Sequence, residues 1–168
     1  MIREIPSGMT KNEIHRCFVD MLSSELEALT AAAKNSASMA TSEAHRAESK
    51  YDTFSLEASY IARGQAQRVE ELTFALQRLQ SLPLSALNAS APIRLGALVR
   101  LASGDGAKRV LFFGPAAGGE KISADGGEVV IVTARSPLGL ALLGKTAGDT
   151  FDFKIGKASH TYTVMSVE

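Results

Sequence analysis

The chain has 168 residues, 45% of them hydrophobic and 21% charged, which suffices for one ordinary domain or two small ones. Lysine plus arginine and aspartate plus glutamate number 18 each, so there is no basic excess of the kind that holds duplex DNA through its phosphates. A single cysteine excludes an internal disulfide and a Cys-rich zinc site, and the three histidines, His15, His45 and His160, are too scattered to form a ligand set. With no tryptophan and 6% aromatics, the core has to come from Leu, Val, Ile and Ala.

From the N-terminus, Thr10 followed by Glu13 is a capping-box pair and predicts a helix start. Ile14, Cys17, Phe18, Met21, Leu22, Leu26 and Leu29 then trace one helical face, with Cys17 expected as a buried small hydrophobe. Ala31 to Ala33 extend the helix before Asn35-Ser36-Ala37-Ser38 weakens the pattern. A second helix follows from Phe54, Ala58, Ile61, Gln65, Arg68, Leu72, Ala75 and Leu79. This is a near-heptad seam with two polar interruptions and a glycine, Gly64, inside it. Neither helix is apolar all round, so each needs a partner stripe, and an antiparallel hairpin supplies it. Arms of roughly 30 residues would reach about 45 Å at ~1.5 Å per residue. Equal arms place the turn near residues 43–50. That position brings Glu43, Glu48 and Asp52 to the tip, with Glu48 and Asp52 four apart and able to share a helix face; Asp52 with Glu57 is a second pairing. His45, Arg46 and Lys50 lie among them, and a solvated, salt-bridged turn is the plain alternative.

Character changes at Ser81-Leu82-Pro83, where glycine and valine become frequent, and residues 83–92 carry linker chemistry in Ser85, Asn88 and Ser90. Ala97 to Leu101, the turn Ser103-Gly104-Asp105-Gly106 and Lys108 to Phe113 form a hairpin signal. Further strands are expected over Glu128–Thr133, Phe151–Ile155 and Tyr162–Val167. Between the third and fourth strands, Ser136 is placed to cap a short helix, with Pro137 at its first position and Gly144 as its stop. Gly104-Asp105-Gly106 and Gly114-Pro115-Ala116-Ala117-Gly118-Gly119 are turns, since neither has the ending or the following helix of a phosphate-binding loop. No segment reaches membrane-spanning length and the N-terminus has no signal-peptide run, so a cytoplasmic chain is expected.

The stretch Ser136-Pro137-Leu138-Gly139, then Ala141-Leu142-Leu143-Gly144-Lys145 and Gly148-Asp149, resembles the signature helix and turn of Gre-type (GreA/GreB) transcription elongation factors. The resemblance covers about Ile93 to Glu168, and the N-terminal half is similar to that family's coiled coil in layout and length. It implies an α+β protein: an antiparallel α-helical coiled-coil hairpin over 1–82, a linker over 83–92, and an FKBP-like antiparallel β domain with one short helix over 93–168. It further implies a partner, bacterial RNA polymerase, docked through Ser136, Pro137, Leu138, Gly139, Leu143, Gly144 and Lys145. The hairpin would enter the polymerase secondary channel, and nucleic acid would be met only indirectly, within the elongation complex.

In that family, acids at the tip help hold a second magnesium ion, shared with the polymerase active site, that promotes cleavage of backtracked RNA. Glu43, Glu48 and Asp52 are the candidates for that role here. The family's tip motif has its nearest match in Asp52-Thr53-Phe54-Ser55-Leu56-Glu57-Ala58-Ser59-Tyr60, which puts Thr53 and Leu56 where the family's two acids stand. Three functions therefore stand side by side: a Gre-like factor that stimulates RNA cleavage by polymerase without being an enzyme itself, a non-cleaving regulator that occupies the channel, and a self-associating coiled coil. The first two expect a monomer that binds no membrane. Prolyl isomerase activity is set aside, because the second half has no tryptophan and Tyr162 as its one tyrosine to line a pocket.

Overall fold

The capping box forms as its spacing predicts. In a computed structural model, which describes residues 8–44, 53–88, 90–124, 127–156 and 158–168, the Thr10 N–H and hydroxyl both donate to Glu13 Oε2 at 2.8 Å. The Glu13 N–H returns a bond to Thr10 Oγ1 at 3.3 Å. These bonds, the backbone one foremost, hold the Glu13 carboxyl below its ordinary range. Helix α1 (Lys11–Ala44) starts here, and α2 (Thr53–Gln80) completes a helical hairpin. No helix among the described residues is long and apolar enough to cross a membrane.

Compactness divides the chain into two units, Asp20–Leu76 and the combination of Met1–Val19 with Gln77–Glu168. In the first, Leu22, Leu72 and Leu76 are buried, and the Arg68 guanidinium lies 3.5 Å from Glu25 and 3.8 Å from Glu71. Ile61, expected on the seam, is instead 59% exposed. The antiparallel pairing of Arg68 with Glu25 sets Ile61 opposite Ala31–Ala33, too small to enclose it.

In the second unit Ile14, Phe18 and Leu79 are buried, while Cys17 is half-buried on the flank of that stripe rather than within it. The His15 and Phe18 rings each sit 5.9 Å from the Phe112 ring, and His15 Nε2 lies 2.8 Å from the Leu79 carbonyl oxygen. Phe112 belongs to a six-stranded sheet of β1 (Leu98–Ser103), β2 (Lys108–Gly114), β3 (Lys121–Ala124), β4 (Gly127–Thr133), β5 (Thr150–Ile155) and β6 (Ala158–Val167). Its order is β3-β4-β2-β1-β6-β5.

Four of its pairings are antiparallel, and β2 with β4 is parallel. The sheet is mixed because β3 runs back between them in sequence and pairs as a hairpin with β4 on the outer side. Alternation along the strands gives the sheet two buried faces. One carries Val99, Leu101, Leu111, Phe113, Val132, Tyr162 and Val164, which join Leu142 of α3 (Pro137–Leu142) in a single cluster. Leu98, Phe112 and Ile131, in register across β1, β2 and β4, lie on the other, against the Phe18 side.

Candidate functional site

The turn from β4 into α3 is fixed at both ends by its own sequence. Ser136 is extended (φ −77°, ψ 151°), as an N-cap must be; its Oγ accepts from the Gly139 N–H at 3.0 Å and donates to the Thr133 carbonyl at 2.9 Å. Pro137 occupies the first helical position, where no N–H is needed. Gly139 is required sterically, since a Cβ there would sit 1.9 Å from the Thr133 carbonyl oxygen. At the other end Gly144 takes φ +79°, a left-handed stop, and its N–H donates to the Ile93 carbonyl at 3.0 Å. The Ile93 N–H answers with a 2.8 Å bond to the Lys145 carbonyl, so the buried Ile93 clamps the helix end from a distant part of the chain.

What α3 presents follows from spacing four and three. Leu138 and Leu142 face the core cluster. Leu140 and Leu143 point away and are 65% and 50% exposed. Beyond them the Lys145 ammonium stands 5.6 Å over the Phe151 ring, which stacks on Tyr162 at 5.7 Å; Arg109 covers the Tyr162 ring at 5.6 Å. The next turn is closed by Asp149, whose Oδ2 accepts from the Thr146 N–H at 2.7 Å and from its hydroxyl at 3.1 Å. Those bonds, with the backbone one largest, hold the Asp149 carboxyl below its ordinary range.

The residues that the resemblance assigns to docking are thus contiguous in space, but they divide in role. Ser136, Gly139 and Gly144 shape the backbone and Leu138 packs inward, while Leu143 is exposed and the half-buried Lys145 lies over the Phe151 ring. Leu140, the most exposed leucine of the segment, is absent from the sequence-derived set, although the i, i+3 step to Leu143 was there to find it. Ile93 was also missed, and only the fold brings it to Lys145.

Among the described residues no three His, Cys, Asp or Glu side chains converge as a metal site. Of the tip acids, Glu43 falls in α1 with its side chain outside the described residues, as do Glu48 and Asp52 entirely. The candidate site is a turn fixed by its own backbone bonds with Leu140 and Leu143 exposed on it, an arrangement that suits adhesion to a partner surface.

Residues 118–168 match the family of transcription elongation factor GreA/GreB C-terminal domains. No curated protein matches the chain. Among solved structures it is similar to the transcription factor Gfh1 at 21% identity, over 99% of both chains, with a TM-score of 0.41. The GreA factor homolog 1 (Gfh1) protein of Thermus thermophilus gives 21% identity, again over 99% of both chains, with a TM-score of 0.37. A prokaryotic elongation factor GreA/GreB from Nitrosomonas europaea is 17% identical over 59% of this chain and 78% of its own, with a TM-score of 0.35.

Proposed function

We propose that this chain, a Gre-type transcription elongation factor by its C-terminal domain, docks on RNA polymerase through the outward face of α3 and inserts its helical hairpin into the secondary channel. The observation that carries the reading is the pair Leu140 and Leu143, exposed on a segment whose backbone is already fixed by Ser136, Gly139, Gly144 and Ile93. Exposed leucines on a preorganised turn lose little conformational freedom on binding, and Lys145 beside them favours an acidic rim on the partner. Nucleic acid is then met through the elongation complex, in keeping with the balanced charge of the chain.

Two outcomes are open to the finger, and each has an observation behind it. A magnesium ion in phosphoryl transfer is held by one or two carboxylates along with water and substrate oxygens, and Glu43, Glu48 and Asp52 are the acids available to share the polymerase's ion. On that reading the chain stimulates the polymerase's own cleavage of backtracked RNA. Thr53 and Leu56 favour the second reading, since neither side chain supplies a carboxylate where the family's acids stand. On that reading the chain occupies the channel without promoting cleavage.

The deciding experiment is transcript cleavage in a backtracked elongation complex with magnesium and excess protein. Loss of RNA from the 3′ end, abolished by Glu48→Ala or Asp52→Ala, establishes the cleaving factor. Intact RNA in a complex that still binds the protein establishes the occupant. Absence of binding at micromolar concentration removes both.

A further inference from the structure

The unit Asp20–Leu76 is unevenly built along its length. Among its described side chains the buried ones are Leu22, Leu72 and Leu76. Among the side chains described, none from 23 to 38 on α1 and none from 57 to 71 on α2 is buried. Tyr60 and Ile61 are 68% and 59% exposed. Leu26, Leu29 and Val69 are half-buried, whereas over Glu57–Arg63 Ala62 is the one described side chain that is even half-buried, and hairpin helices owe most of their stability to such packing.

Two adjacent residues mark where the well-packed part ends. Gly64 is helical, yet no atom lies within 4 Å of the position its Cβ would take. Neither close packing nor a left-handed backbone therefore calls for glycine there, and its effect on the helix is to weaken it. Gln65 follows at a seam position with its side-chain oxygen enclosed and without a hydrogen-bond partner. An enclosed amide oxygen without a donor destabilises the paired state relative to an opened one in which water reaches it. One turn further, Arg68 is tied to Glu25 across the hairpin and to Glu71 on its own helix.

We infer that α2 is built to yield at Gly64–Gln65, so that Glu57–Arg63 separates from α1 as a local opening while Arg68–Gln80 stays paired. The device belongs to the free hairpin and does not require the polymerase reading. If that reading holds, the yielding segment is the part that adapts its path to the channel.

The test is hydrogen–deuterium exchange on the free, full-length protein, corrected for intrinsic rates and compared along α2. Amides of Glu57–Arg63 are expected to exchange at least about tenfold faster than those of Leu72–Gln80, with the break at Gly64. Gly64→Ala is expected to slow the faster group by about fivefold and to leave Leu72–Gln80 unchanged, because the alanine adds helix propensity only where opening occurs. Gln65→Leu is the second variant, removing the unpartnered amide without touching Gly64. Slowing confined to Glu57–Arg63 in either variant supports the inference. Uniform protection along α2, no change in both variants, or equal slowing of the whole helix overturns it, and each of these is independent of any polymerase assay.

Discussion

Between Thr133 and Lys145 the backbone is fixed at nearly every step, whereas between Glu57 and Glu71 the chain is helical with no buried side chain among those described. The contrast runs opposite to length. A helix of six residues is far below what stands alone in water, yet α3 is located by a cap, a proline, a sterically required glycine and a clamp from Ile93. At 28 residues α2 has length enough for regular structure, and among its described side chains the buried ones are Leu72, Leu76 and Leu79. Regularity and fixation are separate properties, and in this protein they fall on different segments.

Deletion of packing is the strongest way to break that comparison. Phe18 is fully buried against Phe112, and Phe18→Ala is expected to lower stability by about 4 kcal/mol. Ile61→Ala should change it by at most about 0.5 kcal/mol, because the side chain is already largely in water. Urea unfolding of the two variants checks both values, and similar losses would show that the hairpin seam extends past Leu72. Gly139→Ala comes next, at about 3 kcal/mol, since the added carbon meets a backbone oxygen that cannot move without unseating the end of β4.

Third is the effect of the outward leucines. Leu140→Asp with Leu143→Asp should leave the unfolding midpoint nearly unchanged and weaken binding to core polymerase by at least about tenfold. A double variant that binds normally would detach α3 from the docking surface and leave its rigidity without the role proposed for it. One that unfolds early would show instead that these side chains support the domain.

These expectations also show which parts of the molecule could be read from residues alone. Thr10 with Glu13, and Ser136 with Pro137 and Gly144, were legible because caps and stops act through neighbours three or four residues away. Four-residue β3 was missed, as Ile122 is its one apolar residue of any size and its pairing depends on β4. The parallel pairing of β2 with β4 was likewise hidden, because direction is set by where the β3–β4 hairpin returns and not by any residue in β2. Ile61 kept a helical step from Gln65 and Leu72, but a seam needs two sides, and the Ala31–Ala33 stretch that supplies the other could not be paired with it until Arg68 was seen on Glu25. The site was legible as a segment and not as a face: the motif supplied Ser136 to Lys145, while burial alone separated Leu138 from Leu140.

The smallest expected effect sharpens the account of how the α3 segment is held. Asp149 closes the turn after Lys145, and in the folded chain its carboxyl is held below the ordinary 3.8, chiefly by the Thr146 N–H, then by the Thr146 hydroxyl and, least, by the charge of Lys145. A carboxyl whose folded value is depressed contributes stability that is fully present above the ordinary value and is lost as pH falls through the folded one. Asparagine keeps an oxygen in the same place, so Asp149→Asn retains neutral versions of both Thr146 bonds and removes the charge that strengthens them. The variant should therefore be slightly less stable than the native chain at neutral pH, and the two should converge as the pH is lowered below about 4. Glu13 and Asp105 are depressed in the same way and will steepen the acid limb of both proteins alike, so the difference between the two curves isolates Asp149. Urea midpoints measured from neutral pH down into that window check the sign. A gap that stays constant through acid would mean that the Thr146 bonds act by geometry alone, and that the turn after α3 needs no charge to hold it.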